Sequence, residues 1–338
     1  MSSAESFELQ PTLADVARAA GVSTATASRV LNGFPKVSPE KRSQVESAIR
    51  ALGYARQRAA RAGGGRTGSI ALVVCEEVPR LFTDPYFPRI ASGVGRELAA
   101  AGLQLVLLTA GAAENYQAPL LRHLDGGHVD GALVVGMHAR RPLDFGWLGI
   151  PVVFGGRPVH EGQYSYVDVD NRGGARLATQ RLIDAGRRTV ATIAGPQDMT
   201  AGVDRLHGYR QAMMRAGRHD QGLVLFGDFG QASGEHAAAQ LLERRPDVDA
   251  IFAASDLMAV GALCALRRAG RKVPGDVAVI GFDDLPIGRR TDPALTTVRQ
   301  PVEEMGVRMT ADLLAMIDGA VSPRCTVLET RLIPRDSA

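Results

Sequence analysis

The sequence predicts an α/β chain with an all-α N-terminal headpiece followed by a two-lobed core of parallel sheets. Three observations carry this expectation. From residue 70 onward, short apolar runs alternate with helical patterns, the rhythm of parallel strands with helices on both sheet faces. The chain has 338 residues, so two such sheets fit better than one. Residues 12–54 instead carry helical spacing interrupted by turn residues.

Thr12 and Asp15, three residues apart, have the form of a capping box. Leu13, Val16, Ala17 and Ala20 recur at helical spacing, and Gly21 closes that helix. Ser23 caps a second helix that runs to about Leu31, where Asn32-Gly33 stops it. Ser38, Pro39 and Glu40 start a third, with Val45, Ile49 and Leu52 as its inner stripe. Only Gly21-Val22-Ser23 separates the first two helices, so they cross steeply, as in a helix-turn-helix. The second helix buries Ala27, Val30 and Leu31. It turns Thr24, Ala25, Ser28 and Arg29 outward, a short polar face with one guanidinium that suits a DNA major groove. Spacing alone fits an ordinary small helical bundle with a solvated face equally well.

Charge is distributed unevenly. Residues 1–66 hold ten Lys and Arg against five Asp and Glu, whereas the rest hold twenty-nine against thirty-one. A basic N-terminus on a near-neutral body is the electrostatic footprint of a nucleic-acid binder. Hydrophobic residues make up 45% of the chain and charged residues 22%, an ordinary globular balance. No apolar stretch is long enough to span a bilayer, and the first residues lack the basic start and apolar run of a secretory signal, so a cytoplasmic address is expected. Cys75, Cys264 and Cys325 form no metal-ligand spacing, and each reads as a small buried hydrophobe.

The stretch TLADVARAAGVSTATASRVLNGFPKVSPEKRSQVESAIRALGY, residues 12–54, closely resembles the DNA-binding headpiece of the LacI/GalR family of bacterial repressors. The resemblance implies that Thr24 and Ala25 read bases, and that Thr26, Ser28 and Arg29 make further groove and phosphate contacts. It implies that Thr12, Ser23 and Asn32 hold the sugar-phosphate backbone. Residues 55–66, ARQRAARAGGGR, occupy the place of the family's hinge helix, whose leucine wedges into the minor groove. Gly63-Gly64-Gly65 stands where that leucine is expected, so a flexible basic linker competes with a hinge helix. Arg58 and Arg61 are its expected DNA contacts, together with Arg56.

In the core, predicted strands include Ile70–Val74, Leu103–Leu108, Ala132–Val135, Val152–Phe154, Val190–Ile193, Leu223–Phe226, Ala250–Ala253 and Val277–Phe282. Helices Ile90–Ala101, Asn171–Ala185, Asp204–Ala216, Ser233–Glu243 and Asp256–Ala269 lie between them, Asp256 reading as a helix cap. Ligands of parallel sheets bind at the carboxyl ends of strands. The loops there hold Asp84-Pro85-Tyr86-Phe87, Gly155-Gly156-Arg157, Asp228-Phe229, Ser255-Asp256 and Asp283-Asp284, with Arg205 at the start of a helix. Aromatics, carboxylates and an arginine in one cleft suit a sugar, with a ring stacked on its apolar face and charged groups on its hydroxyls.

The resemblance extends over this core, through VDGALVVG, IPVVFGGRP, YVDVDNRGGARLATQRLIDAG, RLHGYRQAM, FAASDLMAVGAL and VIGFDD. It implies a fold similar to periplasmic sugar-binding proteins. It also implies effector contacts at Arg205, Asp283, Ser255, Phe229, Phe87 and Gly156, where relatives often carry an acidic or bulky residue. The expected division is a headpiece at 1–54, a linker at 55–66 and a core at 67–338. Lobe one is expected to span 67–159 and 290–321, and lobe two 160–289 and 322–338. The implied function is a repressor, a homodimer on a palindromic operator, controlled by a mono- or oligosaccharide and without a cofactor. A solute-binding protein of a transport system is the alternative. Enzyme readings lack support: Gly93-Val94-Gly95 follows no strand, and no nucleophile elbow, zinc-protease motif or phosphate loop occurs.

Overall fold

The computed structural model describes residues 12–31, 37–52, 66–111, 117–140, 143, 145, 148–158, 164–218, 220–320 and 323–338. The headpiece holds three helices, α1 (Leu13–Ala19), α2 (Thr24–Leu31) and α3 (Pro39–Leu52). Thr12 caps α1 in a reciprocal capping box with Asp15. Ser23 Oγ accepts from Thr26 N at 3.1 Å at the start of α2. Val16, Ala17, Ala20, Ala27, Val30, Val45, Ala48 and Ile49 form a separate small core.

The core starts with β1 (Ser69–Val74), α4 (Val78–Thr83), α5 (Tyr86–Ala100), β2 (Gln104–Thr109), α6 (Gln117–Asp125), β3 (Gly131–Val135), β4 (Val152–Gly155) and β5 (Ser165–Val169). It continues with α7 (Asn171–Asp184), β6 (Val190–Ala194), α8 (Thr200–Arg215), β7 (Val224–Phe226), α9 (Gln231–Arg244), β8 (Ala250–Ala253), α10 (Asp256–Arg268) and β9 (Ala278–Asp283). The last elements are β10 (Thr296–Arg299), α11 (Val302–Ile317), β11 (Cys325–Leu328) and β12 (Arg331–Ile333). The strands make two six-stranded sheets, in the orders β11-β5-β4-β3-β1-β2 and β12-β10-β9-β8-β6-β7. Pairing is parallel except between β12 and β10.

Alternation along each strand serves both sheet faces. In β1, Ile70, Leu72 and Val74 pack with α5 and α11 residues such as Ile90, Val94, Met309 and Leu313. Ala71 and Val73 pack on the other face, with Leu120 and Leu124 of α6. In lobe two, Ile251 and Val279 face α9 and α10, while Ala250, Phe252 and Ile280 face α7 and α8. Removing each of the buried Val, Leu, Ile, Met and Phe side chains from water stabilises the fold by about 1.5–3 kcal/mol.

Strand pairing corrects the expected lobe boundaries. β5 pairs with β4 and β11 with β5, so residues 165–169 and 325–328 belong to lobe one. β10 pairs with β9, so residues 296–299 belong to lobe two. The chain therefore changes sheet after β5, after β10 and after β11. The expectation for the cysteines holds for Cys75, which is buried; Cys264 is half-buried, and Cys325 is exposed on the edge strand β11. Among the described residues no helix is long and apolar enough to cross a membrane.

Candidate functional site

Between the lobes lies a cavity lined from the carboxyl ends of both sheets. Lobe one contributes Glu76 after β1, Arg80 of α4, Asp84, Tyr86 and Phe87 around the start of α5, Met137 after β3, Gly156 and Arg157 after β4, and Asp168 of β5. Lobe two contributes Asn171, Met199, Arg205, Phe229, Ser255, Asp283 and Gln300. All six residues expected at an effector site, Phe87, Gly156, Arg205, Phe229, Ser255 and Asp283, line this one cavity.

Arg205 sits in the second turn of α8, which starts at Thr200 rather than at Asp204. Its side chain is almost fully buried, and two of its three nitrogens are held by hydrogen bonds. Nε donates to Asn171 Oδ1 at 2.9 Å, and Nη1 donates to the Ala254 carbonyl at 2.6 Å and to Asp283 Oδ1 at 3.2 Å. The guanidinium carbon lies 3.7 Å from the Phe282 ring centroid and 5.4 Å from that of Phe229, a cation–π arrangement that locks its plane. Gln300 Nε2 donates to the same Asp283 oxygen at 2.6 Å.

Asp283 has φ +117° and Asp284 φ +53°, an uncommon pair for residues with a Cβ. The twist sends the two carboxylates to different partners. Asp283 meets Arg205 and Gln300, while Asp284 is held by Arg299 and Arg335. Among the described residues, Phe229, φ +71°, is the other non-glycine residue of this kind, and it also lines the cavity. Strain of about 1–3 kcal/mol per position is retained where surrounding contacts over-determine it. Burial pushes the Asp283 carboxyl up to about 6 against the opposing pull of Arg205, and Asp84 adds to the rise. Burial likewise raises Asp84 and Asp168.

Two expectations change in detail. Ser255, not Asp256, caps α10: its hydroxyl accepts from Met258 N at 3.1 Å and donates to the Phe229 carbonyl at 2.9 Å. Ser255 thereby fixes the loop carrying Phe229. Asp256 is fully buried beneath the cavity floor, accepting from Leu285 N and Thr297 Oγ1. Gly156 has φ +93° and open space where a Cβ would be, so the cavity wall is both cut back and conformationally restricted to glycine there.

Several lining residues were not expected. Asp168 and Gln300 follow from β5 and β10, short strands with polar residues inside them, which apolar runs do not reveal. Glu76 and Arg80 come from the loop and short helix after β1, and Glu76 is met by His138, which follows β3 and is not itself a lining residue. His138 Nε2 lies 3.1 Å from Glu76 of its own lobe, and Nδ1 lies 3.1 Å from Asp198 of the other. Arg157 crosses the same boundary to Asp204 at 2.7 Å, and Thr200 Oγ1 donates back to the Arg157 carbonyl at 2.6 Å. These contacts hold the two lobes together around the cavity.

In the headpiece, Thr24, Ala25 and Arg29 are exposed on one side of α2, with Thr26 and Ser28 half-buried beside them. The hydroxyls of Thr12 and Ser23 are engaged in helix caps, in reach of Asp15 and Thr26. Asn32, Arg56, Arg58, Arg61 and Gly63–Gly65 lie outside the described residues, as does the hinge or linker expectation.

Comparison with known proteins agrees with both parts. Residues 12–57 match the model of the bacterial regulatory proteins, lacI family, and residues 179–338 match a periplasmic binding protein-like domain. The chain is 49% identical over 335 residues, 97% of this chain and 98% of the relative, to the HTH-type transcriptional regulator CelR of Thermobifida fusca. It is 36% identical over 300 residues, 87% of this chain and 89% of the relative, to the ribose operon repressor of Escherichia coli K12. Among solved structures, a transcriptional regulator CelR–cellobiose complex superposes with a TM-score of 0.81 at 48% identity, covering 97% of this chain and all of that one. A lac repressor dimer bound to operator and an anti-inducer shares the fold, with a TM-score of 0.71 at 24% identity over 97% of this chain and 99% of that one.

Proposed function

The chain belongs to the LacI family of bacterial regulatory proteins and is a DNA-binding transcriptional regulator of the sugar-responsive kind. From that premise we propose that the interlobe cavity binds the effector, a saccharide, and that this binding changes the affinity of a homodimer for a palindromic operator. The observation that carries this reading is the fixed Arg205–Asp283 pair beneath an aromatic wall. Its rigid donors and acceptors face a space reachable from both lobes. The cellobiose complex of the CelR relative supports a glucose-based disaccharide as the effector.

The exposed α2 face reads the operator, with Thr24, Ala25 and Arg29 toward base edges and Thr12, Ser23, Thr26 and Ser28 toward groove and phosphates. A sugar touching both lobes adds free energy only to the closed arrangement, so the population shifts toward the headpiece placement that closure dictates. The protein acts in the cytoplasm, as a regulator and not as an enzyme. Isothermal titration of the full chain with cellobiose tests the proposal. Saturable 1:1 binding per chain, abolished by Arg205→Lys, is the expected result. Binding that is indifferent to Arg205 removes the site assignment.

A further inference from the structure

The cavity's charge balance selects among saccharides. Every arginine that lines it is already paired with a carboxylate of the protein. Arg80 lies 3.5 Å from Glu76 and 3.9 Å from Asp84, Arg157 lies 2.7 Å from Asp204, and Arg205 lies 3.2 Å from Asp283. No lysine is among the described lining residues, whereas Asp168 adds a further carboxylate with no arginine of its own. His138 is held between Glu76 and one further acid, Asp198. A phosphate or carboxylate on the ligand would find no uncommitted cation and several buried anions.

We propose that this cavity accepts uncharged saccharides and rejects their phosphorylated and uronic-acid forms. The inference rests on the sugar reading given above and narrows its chemical class. Sugar hydroxyls suit the wall, because each can donate to a carboxylate that already accepts from the protein and has lone pairs left. Glu76, 4% exposed, is one such acceptor. An anion must instead share a guanidinium with a carboxylate that the guanidinium already balances, since Arg80, Arg157 and Arg205 each face one, and that sets like charges side by side in a site sheltered from water. The regulator would accordingly respond to sugar released by glycosidic hydrolysis or taken up without phosphoryl transfer. It would not respond to the product of a sugar kinase or a phosphorylating uptake system.

The test is calorimetry on the full chain with matched pairs: cellobiose, maltose and glucose, each against its 6-phosphate on the non-reducing or only ring. The uronic-acid analogue of cellobiose is added as an anion of near-equal bulk. The expected result is that at least one uncharged sugar binds, and that its charged partners bind at least about tenfold more weakly at low salt. Glu76→Gln should narrow that ratio. A 6-phosphate or uronate binding as tightly as its neutral partner overturns the charge selection and leaves the sugar reading intact. Absence of binding by every sugar, charged or not, overturns the sugar reading and this inference with it.

Discussion

His138 of lobe one stands 3.1 Å from Asp198 of lobe two through Nδ1, while its Nε2 faces Glu76 at the same distance. Both partners only accept hydrogen bonds, and a neutral imidazole has one N–H. The cation alone satisfies both contacts. Glu76 first, and then Asp198, therefore hold the His138 pKa above its ordinary value, against the effect of burial.

The resulting pH dependence has a definite sign. A histidine whose pKa is raised on folding contributes stability that is complete below its unfolded value of about 6.5 and is lost as pH rises through the folded value. The neighbours that share its field are Glu76 at the end of β1, Arg80 of α4 bonded to that glutamate, and Asp198 after β6. Asp283 also rises on folding and acts in the same direction over a lower window. His138→Gln isolates the histidine. Melting temperatures measured from pH 5.5 to 8.5 should fall more steeply for the parent than for the variant. At pH 6 the variant should be less stable by about 1–3 kcal/mol. Parallel curves would show that the bridge is not cationic.

Arg205→Lys removes the planar fork while keeping the charge. The donors to Asn171 and Ala254 and the stacking on Phe282 are lost together. Lysine is not a substitute at a stacked, multiply bonded site. Sugar affinity should fall at least about a hundredfold, since two to three charge-assisted hydrogen bonds of about 1.5–3 kcal/mol each hold the site in shape. Stability should fall by about 1–3 kcal/mol. Calorimetry and thermal melts separate the two effects.

α5 and α11 cross at glycines, which lets their backbones meet. A Cβ on Gly306 would lie 2.5 Å from the Ile90 carbonyl oxygen, and one on Gly93 would collide with the Glu303 carbonyl. Gly306→Ala should destabilise the fold by about 1–3 kcal/mol, read from chemical denaturation. Arg89, which spans from Glu303 on α11 to the Asp283 carbonyl, would shift with that helix, so sugar affinity should weaken as well.

Arg29 is exposed on α2 beside Ala25. Arg29→Ala should cost about 1–3 kcal/mol per half-site and relax preference at one base pair, measured by binding to a duplex set varied at each position. Equal loss on specific and random DNA would make it a phosphate contact.

The architecture was largely legible because its signals are local. Capping residues Thr12 and Ser23 mark helix starts, and all-apolar runs such as Ala132–Val135 mark buried parallel strands. The six expected cavity residues sit at or just beyond the carboxyl ends of such strands, in loops or in the first turns of the helices that follow, where topology places them together. The lobe boundaries were not legible. β5, β10 and β11 mix polar with apolar residues, and which sheet each joins is decided by pairing across more than a hundred residues of chain in the case of β11 and β5. For the same reason Asp168 and Gln300 escaped notice. The His138 bridge was hidden too, because Glu76 reaches His138 through the pairing of β1 with β3, and Asp198 reaches it only across the boundary between the lobes.

The central claim is that sugar in the interlobe cavity alters DNA binding by the headpiece. The direct measurement is fluorescence anisotropy of a duplex that the protein itself selects from a random library, titrated with protein at zero and saturating cellobiose. The account predicts a change in operator affinity of about 5–150-fold, absent in Arg205→Lys at the same sugar concentration. Superimposable DNA-binding curves with and without sugar, in a protein that calorimetry shows to be sugar-saturated, would contradict it.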